Sequence, residues 1–271
     1  DRDWLPALSA VYHLGTNQNL RLSASQTVNR PEFRELAPFR FKPIAGGLEQ
    51  TGNPNLVSAS ISSYDARWEW FPAAGDVIAV SLFYKDFTNP IEAIQVSGAA
   101  LTETYQNAIS ARNQGIELEF RRHLGAWVDV LEPFTLILNY SYIDSRIELG
   151  SNTIQTNLDR PLVGQPDHVG NAVLEWLNPS SSSMVRLLYN FTGEKIEFAG
   201  TNGLQDIVQQ PLGTIDLVYR QGFRLVGIDW TAKLSGENLT NEQVEWTQGG
   251  DLWRGWNPGR KIGVSFGLNF F

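Results

Sequence analysis

The chain has 271 residues, with 29 acidic against 21 basic side chains and a formal charge of -8, a balance that argues against a nucleic-acid partner, whose binders carry a basic stripe. It contains no cysteine, which excludes disulfides, thiolate metal sites and a cysteine nucleophile, and which suits passage through an oxidising periplasm. Its 24 glycines and 13 prolines leave room for many turns, and no apolar run approaches the ~18 residues of a membrane-spanning helix, so any membrane crossing falls to β-strands.

Alternation at period two begins at once. Leu8, Ala10 and Tyr12 make a short strand, and Gly15-Thr16-Asn17-Gln18 turns it into Leu20, Leu22 and Ala24, with Arg21, Ser23 and Ser25 opposite. A long irregular connection rich in Pro and Gly follows from Val28, after which Tyr64, Ala66, Trp68 and Trp70 alternate with Ser63, Asp65, Arg67 and Glu69. A short connection through Pro72 and Gly75 leads to Ile78, Val80, Leu82 and Tyr84. A second long one starts at Thr88, and Ile116, Leu118 and Phe120 return opposite Gly115, Glu117, Glu119 and Arg121. A moderate turn through Gly125 reaches Phe134, Leu136, Leu138, Tyr140 and Tyr142. A loop over 148–165 follows, and Ala172, Leu174 and Trp176 descend to a short turn at Asn178-Pro179-Ser180. Val185, Leu187, Tyr189 and Phe191 then rise, with Arg186 and Asn190 opposite, and a loop over 200–210 precedes Ile215, Leu217 and Tyr219, opposite Asp216 and Arg220. A turn is expected at Gln221-Gly222, followed by Val226, Ile228, Trp230, Ala232 and Leu234 as one strand, opposite Asp229, Thr231 and Lys233. A loop over 240–258 delivers the last strand, in which Ile262, Val264, Phe266, Leu268 and Phe270 share one face and Lys261, Gly263, Ser265, Gly267 and Asn269 the other.

These are about eleven strands whose connections alternate between short and long, the pattern of an all-β, antiparallel transmembrane barrel with tight periplasmic turns and long external loops. Trp70, Phe134, Trp176 and Tyr219 stand near short turns and Tyr84 and Tyr142 near long loops, which places two aromatic girdles at two interfaces. On that reading Leu136 and Leu187 face hydrocarbon, where arginine is costly, and Thr135 points inward, where it is mild. A soluble β-sandwich also presents one apolar face per strand and is the competing fold. An odd number of antiparallel strands does not close simply, so the sheet is expected to be half of a larger barrel. The set from Ile262 to Phe270 would then close it against a first strand supplied from elsewhere. The opening Asp1-Arg2-Asp3-Trp4-Leu5 has no signal-peptide character and reads as mid-chain sequence, so a longer protein is expected. His13, His123 and His168 share no ligand spacing and read as solvated or hydrogen-bonded imidazoles, so neither a metal nor a cofactor is expected. Gly263-Val264-Ser265-Phe266-Gly267 matches the G-x-S-x-G nucleophile elbow, but inside an alternating strand it lacks the required turn and helix, so no catalysis is expected.

Several segments resemble one family. Asn29-Arg30-Pro31-Glu32-Phe33-Arg34-Glu35-Leu36-Ala37-Pro38-Phe39 is similar to the most distinctive barrel motif of TonB-dependent outer-membrane receptors, and Gly52-Asn53-Pro54-Asn55-Leu56 to its usual sequel. Further pieces follow in the family's order: Phe83-Tyr84-Lys85-Asp86-Phe87, Asn89-Pro90-Ile91-Glu92, Gly115-Ile116-Glu117-Leu118-Glu119-Phe120, Asn139-Tyr140-Ser141-Tyr142, Asp159-Arg160-Pro161-Leu162 with Gly164-Gln165, and Asn238-Leu239. The resemblance implies a barrel of about twenty-two strands around a plug domain, with uptake energised by the inner-membrane TonB complex through a plug segment that these residues do not include. This chain would be the C-terminal half of that barrel, in the bacterial outer membrane. Its partners would be lipid, the N-terminal barrel half, the plug and an external ligand.

Two places carry chemistry. The motif from Asn29 to Glu35 packs Arg30, Glu32, Arg34 and Glu35 around Phe33 and reads as a salt-bridged loop at the barrel mouth or as a ligand contact. The 240–258 loop concentrates Trp246, Trp253 and Trp256 beside Gly249-Gly250 and Arg254, which reads as a site for a sugar, an aromatic chelate or a peptide, or as packing between loops. Inward charges such as Arg67, Glu69 and Glu119 are expected to pair across strands. The expected function is part of an active transporter that passes an external ligand to the periplasm; the alternative is a non-transporting barrel serving as anchor or assembly platform.

Overall fold

The computed structural model describes residues 2–42, 49–96, 102–151 and 153–269; Phe270, assigned by phase to the apolar face, lies outside the described residues. Eleven strands form one antiparallel sheet in which strands adjacent in space are adjacent in chain order. They are β1 (Ala7–His13), β2 (Gln18–Asn29), β3 (Ala59–Trp70), β4 (Val77–Thr88), β5 (Ser110–His123), β6 (Phe134–Glu148), β7 (His168–Asn178), β8 (Ser183–Thr192), β9 (Leu212–Leu225), β10 (Ile228–Glu237) and β11 (Lys261–Asn269). The Gly263 to Gly267 pattern lies wholly inside β11, with neither the turn nor the helix of a nucleophile elbow.

Register turns the alternating sequence into two continuous faces. Tyr12, Leu20, Trp68, Val80, Leu118 and Tyr140 are successive direct partners from β1 to β6, and Leu136, Leu174, Leu187 and Leu217 from β6 to β9. A one-residue slip at any pair would send an apolar row to the other face, so the pattern itself fixes the pairing. This apolar face is left open: Leu22, Leu82 and Leu187 are 50%, 57% and 44% exposed. Rows of bare leucine and tyrosine of this extent are not the surface of a water-soluble domain.

The opposite face is polar and cross-linked. Arg21 Nε donates to Glu69 Oε2 at 2.8 Å, Arg67 Nε to Glu69 Oε1 at 2.9 Å, and the same Arg67 guanidinium reaches Ser81 Oγ at 3.1 Å and Glu119 at 2.5 Å. This is the expected cross-strand ladder, running from β2 to β5; Arg186 pairs with Glu175 further along. Gly115 on this face leaves room for Phe83, whose ring carbon would lie 2.7 Å from any Cβ placed there. The three histidines are hydrogen-bonded, His13 to Asn19 at 2.7 Å, His123 to Thr135 at 2.8 Å and His168 to the Tyr140 hydroxyl at 2.7 Å. Thr135 does point to the polar face, but it is 5% exposed and bonded to His123, so a large residue there would not be mild.

Two features depart from the sequence reading. Gln221-Gly222 is not a turn: both residues lie within β9, and Gly222 is needed because a Cβ there would sit 2.9 Å from the Ser182 side chain of the neighbouring turn. The chain reverses instead at Val226 and Gly227, whose φ values of 53° and 76° make a two-residue turn of type I′, so Val226 belongs to no strand. The long connections are also less irregular than expected, since they contain two further sheets and a short helix.

A β-branched residue in the left-handed region is strained, and asparagine followed by glycine is the preferred pair in such a turn. Val226→Asn should therefore raise the unfolding midpoint of the folded barrel in detergent, corresponding to about 1 kcal/mol. An unchanged or lowered midpoint would show that the turn is not strained.

Candidate functional site at the loop end

All five long connections lie at one end of the sheet, because each follows an even-numbered strand of an antiparallel meander. Four of them contribute to two small sheets. One orders Arg40–Phe41, Glu49–Thr51, Thr102–Asn107 and Ile91–Val96; the other orders Lys195–Phe198, Ile207–Gln209, Val244–Gln248 and Asp251–Trp256. They meet at a parallel bridge between Ile94 and Ala199, where Gln95 N–H donates to Ala199 O at 2.8 Å. Around this seam Ile94, Ala199 and Ile207 are 3%, 0% and 0% exposed. The best-buried apolar side chains thus sit among the loops and not in the large sheet.

An ion pair locks the seam. Arg160 donates from both terminal nitrogens to Glu92, at 3.0 Å and 2.8 Å, and the two side chains are 1% and 2% exposed. Glu92 also accepts from Val163 N–H at 2.9 Å, and Arg160 bonds the Pro161 carbonyl and the Gln155 side chain. A bidentate pair at this depth must satisfy its lone pairs and protons internally, and these extra bonds do so for the two terminal nitrogens and the carboxylate, while Arg160 Nε is left without a partner. From Gln155 the connection continues: Gln155 bridges to Thr201, Thr201 Oγ1 donates to Gln95 O at 2.5 Å, and Gln248 Nε2 donates to Gln95 Oε1 at 2.9 Å. Four loops are joined in this way.

The segment from Asn29 to Glu35 forms the entry to this assembly. Phe33–Leu36 is one helical turn with a capping box, Glu32 N–H donating to Glu35 Oε2 at 2.8 Å. Gly52 N–H donates to Ala37 O at 3.0 Å, and a Cβ on Gly52 would meet the Ala37 backbone at 2.5 Å, so the two quoted motifs pack backbone to backbone. Arg30 pairs with Asp3, and Arg34 lies 5.9 Å from the Phe41 ring, which makes the motif a docked, salt-bridged loop; Phe33 remains 79% exposed. Behind it, burial raises the Glu103 carboxyl above its ordinary range despite a 2.5 Å bond from Gln50. Burial and the charges of Glu103 and Glu35 push the Tyr105 hydroxyl up to about 12.

The three loop tryptophans fall on one hairpin. Gly249 and Gly250, at φ 65° and 89°, make the turn between Val244–Gln248 and Asp251–Trp256. The register slips between Trp246 and Thr247, which leaves Trp253 as an extra residue on its strand. Trp246 stacks on Trp253 at 5.9 Å and 17° and meets Trp256 edge-on at 5.3 Å; Phe198 adds a fourth ring and Arg254 lies 5.8 Å from the Trp256 ring. Trp256 is still 42% exposed. The structure therefore unites the residues singled out from the sequence in one aromatic cluster with a guanidinium at its rim.

Sequence reasoning missed the Glu92–Arg160 pair. Both residues stand in segments noted for their family resemblance, but 68 positions separate them and nothing local relates the two. Arg160→Ala leaves a buried carboxylate without a counter-charge, a loss of about 3–5 kcal/mol. The expected result is loss of hydrogen-exchange protection at Gln95 and its neighbours, with β6 amides unchanged. Retained protection at Gln95 would show that the pair does not hold the seam.

Comparison with known proteins gives the sheet its context. Residues 1–239 match the family model described as "TonB dependent receptor-like, beta-barrel". No curated protein matches the sequence. Among solved structures, a mutant ferric enterobactin receptor of Pseudomonas aeruginosa superposes with a TM-score of 0.64 at 16% identity, over 97% of this chain and 40% of the receptor. A siderophore receptor of the same organism gives 0.64 at 18%, over 97% and 41%, and the ferric yersiniabactin uptake receptor of Yersinia pestis 0.63 at 18%, over 98% and 37%. The chain spans about two fifths of the length of these receptors, and its eleven-stranded sheet matches part of their barrel. On the strength of the family match over most of its length, this chain belongs to the TonB-dependent receptor β-barrel family.

Proposed function

We propose that the chain is the C-terminal half of an outer-membrane receptor barrel, with β1 to β11 as its twelfth to twenty-second strands, and that the complete protein takes up an external ligand across that membrane. Family membership supports the class, and the open apolar face supports the location. From the row of Phe134, Trp176, Val185 and Tyr219 to the row of Tyr142 and His168, aromatic residues bound a band centred on Leu138. Hydrocarbon is the favourable surrounding for such a face, and the backbone of the interior strands is paired on both sides. The short turns then face the periplasm. The plug and the TonB complex would engage the complete protein, and the polar ladder would line the lumen.

The observation that carries the ligand reading is the aromatic hairpin. Trp246, Trp253 and Trp256, with Arg254 beside them, offer flat faces and a fixed cation at the loop end. An aromatic ferric chelate suits them: catechol-like or phenol-like rings stack on indole, and a guanidinium attracts the chelate's negative charge. The names of the matched receptors, which refer to ferric enterobactin, to a siderophore and to ferric yersiniabactin, favour a ferric ligand.

Two measurements test these proposals. Leu138→Arg should impair insertion by about 2 to 4 kcal/mol, as expected for a charge facing lipid near the midplane, whereas the adjacent Asn139→Arg on the polar face should fold almost normally. Equal losses in a detergent or vesicle folding titration would remove the membrane assignment. Trp253→Ala and Trp256→Ala, assayed in the complete receptor with a panel of ferric catecholates and phenolates, should each weaken binding by about tenfold, the worth of one aromatic contact. Should both fold and bind every chelate as the parent does, the cluster is loop packing and the ligand site is elsewhere.

A further inference from the structure

The short-turn end of the sheet has one connection unlike the others. Four of these turns occupy residues 14–17, 71–76, 179–182 and 226–227, while the one between β5 and β6 runs over 124–133 and reads Leu-Gly-Ala-Trp-Val-Asp-Val-Leu-Glu-Pro. It is ordered by its own backbone, with single 3-10 turns at Leu124–Ala126 and Asp129–Leu131 and bonds from Trp127 N–H to Leu124 O at 3.0 Å and from Leu131 N–H to Val128 O at 2.8 Å. Yet it exposes Trp127, Val128 and Val130 by 58%, 50% and 77%. A turn bathed in water would be polar; this one holds apolar side chains out on a fixed frame.

Its orientation is set by a chain of contacts. The Trp127 ring lies 6.1 Å from Phe120 and 5.2 Å from the Arg122 guanidinium. Phe120 pairs with Ile78 and Leu138, and Arg122 with Leu136, so both belong to the apolar face of the sheet. Arg122 Nε lies 3.9 Å from Asp76 Oδ2, an ion pair without a hydrogen bond, and Asp76, 2% exposed, accepts from His123 N–H at 3.0 Å through its other oxygen. A buried carboxylate thus orients an arginine, the arginine orients the indole, and the indole extends the apolar band below its lowest aromatic row.

We propose that residues 124–131 are an interfacial anchor that lies in the headgroup layer of the periplasmic leaflet, with the phospholipid surface as its partner. The inference rests on the reading of the apolar face as lipid-facing. Trp127 would place its ring at the acyl boundary and its N–H among headgroups, Arg122 would lie within reach of lipid phosphates, and Val128 and Val130 would leave water without a protein partner. The continuity of Trp127 with the Phe120 and Leu138 column selects lipid over a soluble partner, because any protein seated on the turn would also have to cover that column.

Residues 1–271 contain no cysteine, so a nitroxide can be placed at one introduced thiol among them. In the complete receptor, reconstituted in vesicles of phosphatidylethanolamine and phosphatidylglycerol, labels at Val130→Cys, Leu138→Cys and Ser180→Cys are compared for collision with oxygen and with a water-soluble nickel chelate. The Val130 label should favour oxygen, like the Leu138 label and unlike the Ser180 label on the adjacent turn, and adding Trp127→Ala should shift it toward nickel. A Val130 label open to nickel as Ser180 is, or shielded from both agents, overturns the anchor while Leu138 still reports lipid. If Leu138 also fails to report lipid, the failure is that of the membrane reading itself.

Discussion

The constraint on which the rest depends is that a strand has two faces and one backbone, and here every interior strand satisfies its backbone through neighbours on both sides. Pairing a strand's amides fixes which residues stand opposite one another, and period-two alternation then sorts them into an apolar and a polar face. The exposed leucines and the Arg21–Glu69–Arg67–Glu119 ladder are two consequences of the same register. The constraint is unmet only at the margins. β1 and β11 each have a neighbour on one side alone, all seven residues of β1 are exposed, and Ile262 and Phe266 of β11 are 75% and 68% exposed. Such edges invite a further strand.

The large sheet was legible because its signal is local and repeated. A strand such as Phe134 to Tyr142 announces its phase within a few residues, and an error at one end does not disturb the rest. Where the reading failed, the cause was a glycine with a different task. Gly222 resembles a turn residue but sits in β9 because Ser182 approaches it, whereas the true reversal uses Val226, a residue type that sequence rules exclude from a left-handed turn. The extra residue at Trp253 was equally invisible, and Gly249-Gly250, noted only as neighbours of the tryptophans in a loop over 240–258, turns a hairpin there.

The loop end was legible in its parts and not in its assembly. The tryptophans drew attention by their concentration, and the motif segments by their resemblance. What joins them is long-range: Glu92 to Arg160, Gln95 to Thr201, Gln248 to Gln95. None of these has a period or a spacing, and the small sheets they stabilise are built from strands of two to six residues, too short for alternation to register. Burial decides their importance, and burial is a property of the folded loops alone.

The two ionic systems of the molecule consequently differ in kind. In the ladder, Arg21 and Arg67 keep 49% and 29% of their side-chain surface open, and the better-buried Glu69 between them, 9% exposed, has both as partners, so the loss of either arginine leaves it the other. Beside the seam, Glu92 and Arg160 are almost wholly enclosed, and the pair ties the Ile91–Val96 strand to the 149–167 connection. The Ile94–Ala199 bridge, the buried pair and the Gln95–Gln248 bond share the Ile91–Val96 strand, which brings all three to one place. Because Gln248 belongs to the tryptophan hairpin, the contacts that run from Arg160 through Gln155, Thr201 and Gln95 reach the hairpin that carries the aromatic cluster. The carboxylate at position 92 and the indoles at 246 and 253 are accordingly linked through the hydrogen bonds of other loops and not through a contact of their own.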